Sequence, residues 1–109
     1  MKYAILIYAA ENGAAPDPAI REEYFALAGR AATLGGEQLQ PGATATTVRV
    51  ENGQTLTTDG PFVETKEVLG GFYLIDVPSL DEALEFAAAV PAARLGGAVE
   101  VRPIVEMGR

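Results

Sequence analysis

The sequence predicts an α+β fold, a single domain over residues 1–109 with an antiparallel-rich sheet and two helices. The chain has 109 residues, 49% of them hydrophobic, which suits one domain with a thin core. Two segments carry helix-start signals, and stretches of strand length flank them. No stretch approaches the ~20 apolar residues of a membrane span, so we expect no association with a membrane.

The first two elements are a strand and a helix. Residues 2–8 are largely apolar on both faces, which is typical of a central strand. Asp17 then supplies an N-cap, and Pro18 suits the first helical position. Gly35-Gly36 predicts the end of this helix, because glycine adopts the left-handed conformation of a C-cap. The apolar stripe of the helix comprises Ile20, Tyr24, Leu27, Ala31 and Leu34.

A β-hairpin is predicted in the middle of the chain, after a short strand over 37–39. Residues 44–51 alternate in polarity, and residues 54–58 alternate back. Asn52-Gly53 lies between them and suits a type I′ turn, because both residues accept positive φ. This two-residue loop pairs Arg49 with Leu56 and Thr47 with Thr58.

A second helix and two strands complete the chain. Residues 70–77 form a strongly apolar strand. Ser79 and Glu82 then form a capping box, and Pro91 ends the helix that follows. The last strand is predicted over 98–106.

These elements give the order β-α-β-β-β-β-α-β. Two helices on separate connections predict a ferredoxin-like antiparallel sheet with both helices on one face and an inserted β-hairpin. The other sheet face carries apolar residues of the first and fifth strands. Because an apolar face on so small a domain needs a cover, we predict a homodimer.

Composition narrows the classes of function. The formal net charge of −7 disfavours nucleic-acid binding. The chain has no cysteine and no histidine, which excludes disulfides, thiolate catalysis and the commonest zinc ligand. An all-carboxylate Mg²⁺ or Ca²⁺ site stays open in principle, but no EF-hand spacing occurs, and we predict no metal and no cofactor. The N-terminus lacks the pattern of an export signal, so we expect a cytoplasmic protein.

The chemically distinctive segment is a polar loop over residues 59–69. Asp59 either accepts backbone N–H bonds, the commoner role of Asp in turns, or places a carboxylate at the mouth of a cleft. Lys66 either pairs with acidic residues of the loop or holds an anionic substrate while Glu64 or Asp59 moves a proton. The candidate catalytic residues are therefore Asp59, Glu64 and Lys66.

Five further residues are candidates for ligand binding. Phe62 is predicted to anchor the loop in the core, and its alternative role is the floor of an apolar pocket. Arg102 shares strand parity with Glu100, so it either forms an ordinary ion pair or holds a ligand carboxylate. The full set is Tyr8, Arg49, Phe62, Tyr73 and Arg102.

One segment carries a resemblance to a known family. Residues 58–67 read TDGPFVETKE and resemble the signature of the DGPF-type (DGPFAETKE) branch of the YCII-related proteins, with Val63 in place of Ala. Further matches follow in order along the chain, at 2–8, 39–41, 70–73 and 99–103. The resemblance therefore covers nearly the whole chain.

The resemblance implies a dimeric α+β barrel built from two ferredoxin-like units. In such a barrel, Tyr8, Tyr73, Arg49 and Arg102 are expected to point into the interior. Enzymes that use a His–Asp pair have been proposed in the wider group, but a chain without histidine has no such pair. The resemblance also associates the chain with extracytoplasmic-function sigma factors.

Three functions stay open on these grounds, and whether the protein is an enzyme stays open with them. The first is a homodimeric domain that binds a small polar or anionic ligand in a cleft bordered by residues 58–67. The second is a non-catalytic accessory protein that acts through a protein partner, such as a sigma factor. The third is an enzyme of the isomerase or decarboxylase kind with a carboxylate base.

Overall fold

Strands and helices follow one another in the predicted order within residues 1–11 and 16–107, the part of the chain that the computed structural model describes. The mixed α+β class, with two helices and an antiparallel sheet in that part of the chain, is thus confirmed. The strands are β1 (Lys2–Ala10), β2 (Thr33–Gln38), β3 (Thr46–Glu51), β4 (Gln54–Asp59), β5 (Glu67–Asp76) and β6 (Ala98–Pro103). The helices are α1 (Pro18–Ala28) and α2 (Leu80–Ala89), and short 3-10 turns lie at Gly42–Thr44 and Pro91–Ala93.

The main sheet has four strands in the order β2-β5-β1-β6. Every neighbouring pair is antiparallel. The apolar β1 lies between two strands, as the two-sided apolar pattern of residues 2–8 predicts. The strand β6 lies at an edge, where Pro103 removes no N–H from the interior of the sheet.

The core lies between one face of this sheet and both helices. Alternate residues of β1 and β5 point toward the helices, because side chains alternate across a strand. Phe86 of α2 lies edge-on to Tyr73 of β5, with ring centroids 5.5 Å apart. Truncating a buried aromatic such as Phe86 to Ala costs about 3–5 kcal/mol. Buried residues of the cluster are Tyr3, Ile5, Ile7, Leu27, Tyr73, Ile75, Val77, Ala83, Phe86, Ala87, Val90 and Ala92.

The opposite face of the sheet, which we call the open face, has neither α1 nor α2 over it. Ala4, Leu6 and Tyr8 of β1 lie on it, because they alternate with the buried residues. Cross-strand partners share a face, so Phe72 and Leu74 of β5 lie beside them. The predicted uncovered apolar face is therefore present in the single protomer.

The first helix is shorter than predicted, and its predicted end at Gly35-Gly36 is wrong. The helix ends at Gly29, whose N–H donates to the oxygen of Phe25 over 3.1 Å. The Thr33 hydroxyl then donates to the oxygen of Leu27 over 2.7 Å and turns the chain into β2. Gly36 lies inside this strand, where a Cβ would come within 2.5 Å of the backbone oxygen of Phe72.

The polar loop and the last strand are also shorter than predicted. Because β4 extends to Asp59 and β5 begins at Glu67, only residues 60–66 remain between the strands. The strand β6 ends at Pro103 and does not continue to residue 106. The N-cap role of Ser79 in the predicted capping box is confirmed, since its hydroxyl accepts from the N–H of Glu82 over 3.3 Å.

The hairpin of β3 and β4 forms a separate two-stranded sheet. Its predicted register is confirmed, with Arg49 opposite Leu56 and Thr47 opposite Thr58. Asn52 and Gly53 have φ of 50° and 78°, as a type I′ turn requires. The Cα radius of gyration is 15.8 Å. A compact domain of this length has about 13 Å, so the chain is spread out.

Candidate functional site

The turn that follows β4 is held by backbone groups and by one threonine. The N–H of Gly60 donates to the oxygen of Ala45 over 2.7 Å. The Thr47 hydroxyl donates to the oxygen of Gly60 over 2.8 Å. Gly60 has a φ of 98°, which L side chains rarely adopt, so this position requires glycine. These hydrogen bonds hold the turn without a contribution from the side chain of Asp59.

That acidic residue, Asp59, is exposed at the end of β4, opposite Thr46 in the ladder. Its carboxylate makes no hydrogen bond and no ion pair with another residue in 1–11 or 16–107. The alternative in which Asp59 accepts backbone N–H bonds is thus absent from that part of the chain. The carboxylate is left available to a ligand or to a second protein molecule.

The other two candidate catalytic residues, Glu64 and Lys66, are exposed in the loop. The ion pairs within the described residues involve other groups, so neither of these two charges is paired there. The loop is fixed next to them, where the Thr65 hydroxyl donates to the oxygen of Glu67. The loop therefore presents charges of both signs to solvent.

Phe62 is not the core anchor that the sequence predicts. Its side chain is 68% exposed, because the hairpin that carries the loop lies away from the core. The guanidinium carbon of Arg49 lies 4.7 Å from the centroid of its ring, a cation–π contact. Arg49 thereby supports the loop from one face of the hairpin.

Asp59 and Arg49 lie on opposite faces of the hairpin. Thr46 lies opposite Asp59, and Thr46, Val48 and Val50 are every second residue of β3, so these side chains share one face with Asp59. Arg49 and Leu56 lie on the other. The structure therefore does not bring the carboxylate of Asp59 and the guanidinium of Arg49 to one point.

Arg102 lies on the open face, at the far end of the sheet from the loop. It pairs with Ala4 across β1 and β6, whereas Glu67, where the loop ends, pairs with Ala10. Six positions along a strand span about 20 Å. Arg102 donates to Glu100, which confirms the ion pair that their shared parity predicts.

The two tyrosines of the predicted set lie on opposite sides of the sheet. Tyr8 is on the open face, opposite Leu69 and Ala98. Tyr73 is buried under the helices, and its hydroxyl donates to the oxygen of Tyr24 over 2.8 Å. Burial raises the pKa of Tyr73 to about 12. In the protomer it is therefore a neutral core residue at physiological pH.

Two shallow cavities lie on the helix side of the protein. One of about 270 Å³ is lined by residues that include Arg30, Asp76 and Phe86. The other, of about 170 Å³, includes Glu23 and Leu27. Neither of these two cavities is lined by a predicted site residue.

Sequence reasoning did not single out Glu11 and Thr47, which build the base of the loop. The Glu11 carboxylate accepts from the N–H of Gly42 over 2.7 Å and ties the end of β1 to the segment beside the loop. Glu11 carried no signal apart from its charge. Thr47 was predicted only as the hairpin residue opposite Thr58, with no role in the turn after β4.

The fold and the loop together define a class, a small α+β domain with one helix-covered sheet face and a polar loop beside a projecting hairpin. The chain matches the YCII-related domain over residues 1–108 and belongs to that family. It is also similar to an uncharacterised protein of Rhizobium meliloti (strain 1021), with 53% identity over 68 residues. The match covers 62% of this chain and 55% of that protein, so the chain spans little more than half of the relative's length.

Proposed function

We propose that the protein is a homodimeric domain that binds a small polar or anionic ligand in a cleft bordered by residues 58–67. The observation that carries this proposal is the carboxylate of Asp59, which has no partner among residues 1–11 and 16–107 and lies at a turn that Thr47 and Gly60 already hold. A charged group that the fold does not use is free to act on a ligand. The signature at 58–67 further supports placing the chain in the DGPF-type branch of the family.

The loop offers complementary groups for such a ligand. Lys66 supplies a positive charge for a carboxylate or phosphate, and Asp59 accepts a hydrogen bond from a hydroxyl or amine. If the site is catalytic, Asp59 or Glu64 is the group that moves a proton, because no histidine is present. Arg49 maintains the loop through its contact with Phe62.

The open face supports the dimer. Leu74 on this face is 36% exposed, and Leu6 and Phe72 lie half-buried beside it, on the side of the sheet away from α1 and α2. Apolar surface of this kind is stabilised by contact with another protein molecule. A second copy of the chain supplies the same face and forms a closed two-fold assembly.

The ligand proposal is tested by a thermal-shift screen of small carboxylates, phosphates and hydroxy acids. We expect a binder to stabilise the wild type and Glu51→Gln, a matched exposed carboxylate on the same hairpin, but not Asp59→Asn. At 100 times its Kd, a ligand stabilises the folded state by about 2.7 kcal/mol. Equal stabilisation of all three proteins, or of none, would overturn the proposed site.

The homodimer is tested by light scattering coupled to gel filtration. We expect about twice the monomer mass of 11.4 kDa at micromolar concentration. A monomer at that concentration would overturn this part of the proposal.

A second candidate function, binding to a protein partner in the cytoplasm, is favoured by one observation. Phe62 and Val63 are 68% and 56% exposed at the tip of the loop, and exposed aromatic residues often anchor protein interfaces. A purified extracytoplasmic-function sigma factor is the partner to test by calorimetry. Binding that is lost in the Phe62→Ser variant would support this function, and absence of heat with the wild type would reject it.

A further inference from the structure

The hairpin of β3 and β4 is tied to the four-stranded sheet by one side chain. Nearly every residue of the two hairpin strands is exposed, and neither strand pairs with that sheet. Within residues 1–11 and 16–107, one hydrogen bond joins the segment 42–64 to the sheet and the helices, and in it the N–H of Gly42 donates to the Glu11 carboxylate over 2.7 Å. The orientation of the hairpin therefore depends largely on this bond and on the two chain connections.

The bond to Glu11 is the first link of a hydrogen-bonded path that ends beside Asp59. Gly42 begins the 3-10 turn, and its oxygen accepts from the N–H of Ala45 over 3.0 Å. The oxygen of Ala45 accepts in turn from the N–H of Gly60 over 2.7 Å, and Gly60 directly follows Asp59. Contiguous hydrogen bonds of this kind pass a displacement from one group to the next. A shift of Gly42 therefore moves the turn that carries Asp59.

Gly42 also lies between Glu11 and the polar loop. A Cβ on Gly42 would lie 3.1 Å from a carboxylate oxygen of Glu11 and 3.8 Å from Cγ of Pro61. The end of β1, the 3-10 turn and the loop after β4 therefore meet at this point. Gly42 and Pro61 are half-buried there, whereas Glu11 is exposed. Substitution of Glu11 thus removes the tie without disturbing the core.

We propose that Glu11 is a positioning residue of the site at residues 58–67. Its carboxylate fixes the 3-10 turn against the end of β1, and the turn fixes Gly60, and with it Asp59, relative to the main sheet. A hydrogen bond to a charged acceptor is stronger than a neutral one, which suits a carboxylate to a junction with little packing around it. This inference rests on the proposed ligand site and deepens it, because it names the residue that sets where the carboxylate of Asp59 lies.

The test measures the position of the turn by the distance between two spin labels, with double electron–electron resonance. The chain has no native cysteine, so Thr58→Cys beside Asp59 and Ala88→Cys on α2 place the labels at two exposed positions. Excess unlabelled protein restricts the signal to distances within one molecule. We expect one narrow distribution when Glu11 is present and a second, displaced population in Glu11→Ala. The ratio of displaced to docked hairpin should rise about 10-fold, from the loss of a hydrogen bond to a charged group.

Three further variants in the labelled protein separate positioning from a change of charge. Glu11→Gln keeps an acceptor oxygen and should keep the docked population. Glu37→Ala removes an exposed carboxylate of β2 and should leave the distribution unchanged. Gly42→Pro removes the N–H at the other end of the bond, at the first position of a 3-10 turn and after Pro41, whose ψ of 149° suits a residue before proline. It should displace the hairpin as Glu11→Ala does, and the two changes together should displace it no further.

A distribution as narrow in Glu11→Ala as in the wild type would overturn the positioning role, and so would equal displacement in Glu37→Ala. The measurement uses no ligand, so this inference and the proposed ligand site fail separately. If no compound of the thermal-shift screen depends on Asp59, the ligand site is rejected, while displacement in Glu11→Ala and Gly42→Pro still shows that Glu11 sets the position of the turn. A binder that depends on Asp59, together with an undisplaced hairpin in Glu11→Ala, would reject the role of Glu11 alone.

Discussion

A pair of substitutions separates a functional Asp59 from a structural one. The structure assigns the locking of the turn to Thr47 and leaves Asp59 without a partner within the described residues. Thr47→Val therefore removes a hydrogen bond, whereas Asp59→Asn removes only an exposed charge. We expect the first variant to be less stable and the second to match the wild type.

The size of each effect follows from the local geometry. The hydroxyl of Thr47 lies 2.8 Å from the oxygen of Gly60, and both residues are half-buried. A neutral hydrogen bond contributes about 1 kcal/mol, and Val preserves the shape of Thr while leaving the carbonyl unpaired. The expected loss in the free energy of unfolding of Thr47→Val is about 1–2 kcal/mol. Each kcal/mol lost lowers Tm by roughly 4–8 °C in a domain of this size. An exposed substitution without a partner changes stability by at most about 0.5 kcal/mol.

The assay is urea unfolding followed by far-ultraviolet circular dichroism at one fixed protein concentration, since dimerisation makes stability depend on concentration. Thr58→Val is the matched control, because Thr58 lies opposite Thr47 in the ladder and is exposed. It should unfold like the wild type. A loss of about 1 kcal/mol or more in Asp59→Asn, with Thr47→Val unchanged, would refute the assignment, since N-cap and turn carboxylates contribute about that much.

Three further predictions concern the packing around the site and in the core. Gly97→Ala places a Cβ 2.3 Å from a backbone oxygen of β1 and should cost about 1–3 kcal/mol in urea unfolding. Gly35→Ala, with no atom within 4 Å of the added Cβ, should be harmless, and equal costs would contradict the packing. Arg49→Ala and Phe62→Ala should show a coupling of about 0.5–1 kcal/mol in a double-mutant cycle, and strictly additive effects would show that the contact is not formed. The raised pKa of Tyr73, about 12 against 10.0, means that stability is full below pH 10 and falls as pH rises toward 12. Between pH 10 and 12, the free energy of unfolding of the wild type should fall by up to about 2–3 kcal/mol more than that of Tyr73→Phe. An identical decline in both proteins would refute the raised pKa.

Signals that act over a few residues predicted the structure well. The Asn52-Gly53 turn and the Ser79 cap depend on their own backbone conformations, so the residues themselves specify them. The pairing of Arg102 with Glu100 needed only strand parity. Element order, the hairpin register and one ion pair were therefore predictable from the chain.

Features that depend on distant contacts were predicted poorly. Gly36 looked like a helix C-cap, but its role is to admit the backbone of β5, which a local pattern does not reveal. Apolar residues recur at helical spacing beyond Gly29, so the sequence pattern did not indicate that α1 ends there. Phe62 was assigned to the core because it is aromatic, yet the loop that holds it lies outside.

The sequence named the candidate site residues but did not predict which of them lie close together. Asp59 and Arg49 occupy opposite faces of one hairpin, and Tyr8 and Tyr73 occupy opposite faces of one sheet. These positions follow from registers between strands and from a shift in the pairing of β1 with β5 after Ile7. Such relations require the assembled sheet, and the sequence alone does not provide them.

The separate hydrogen-bond ladder of the hairpin of β3 and β4 has a consequence for amide exchange. Opening the pairs between Thr46 and Asp59 breaks no bond of the four-stranded sheet, so the two sheets are distinct cooperative units. Amides of this hairpin then exchange by local opening, at a lower free energy than amides of the four-stranded sheet. Exchange at Val48 and Val50 should therefore be faster than exchange at Ile5 and Ile75 of the buried main sheet, and native-state hydrogen exchange would show the difference residue by residue.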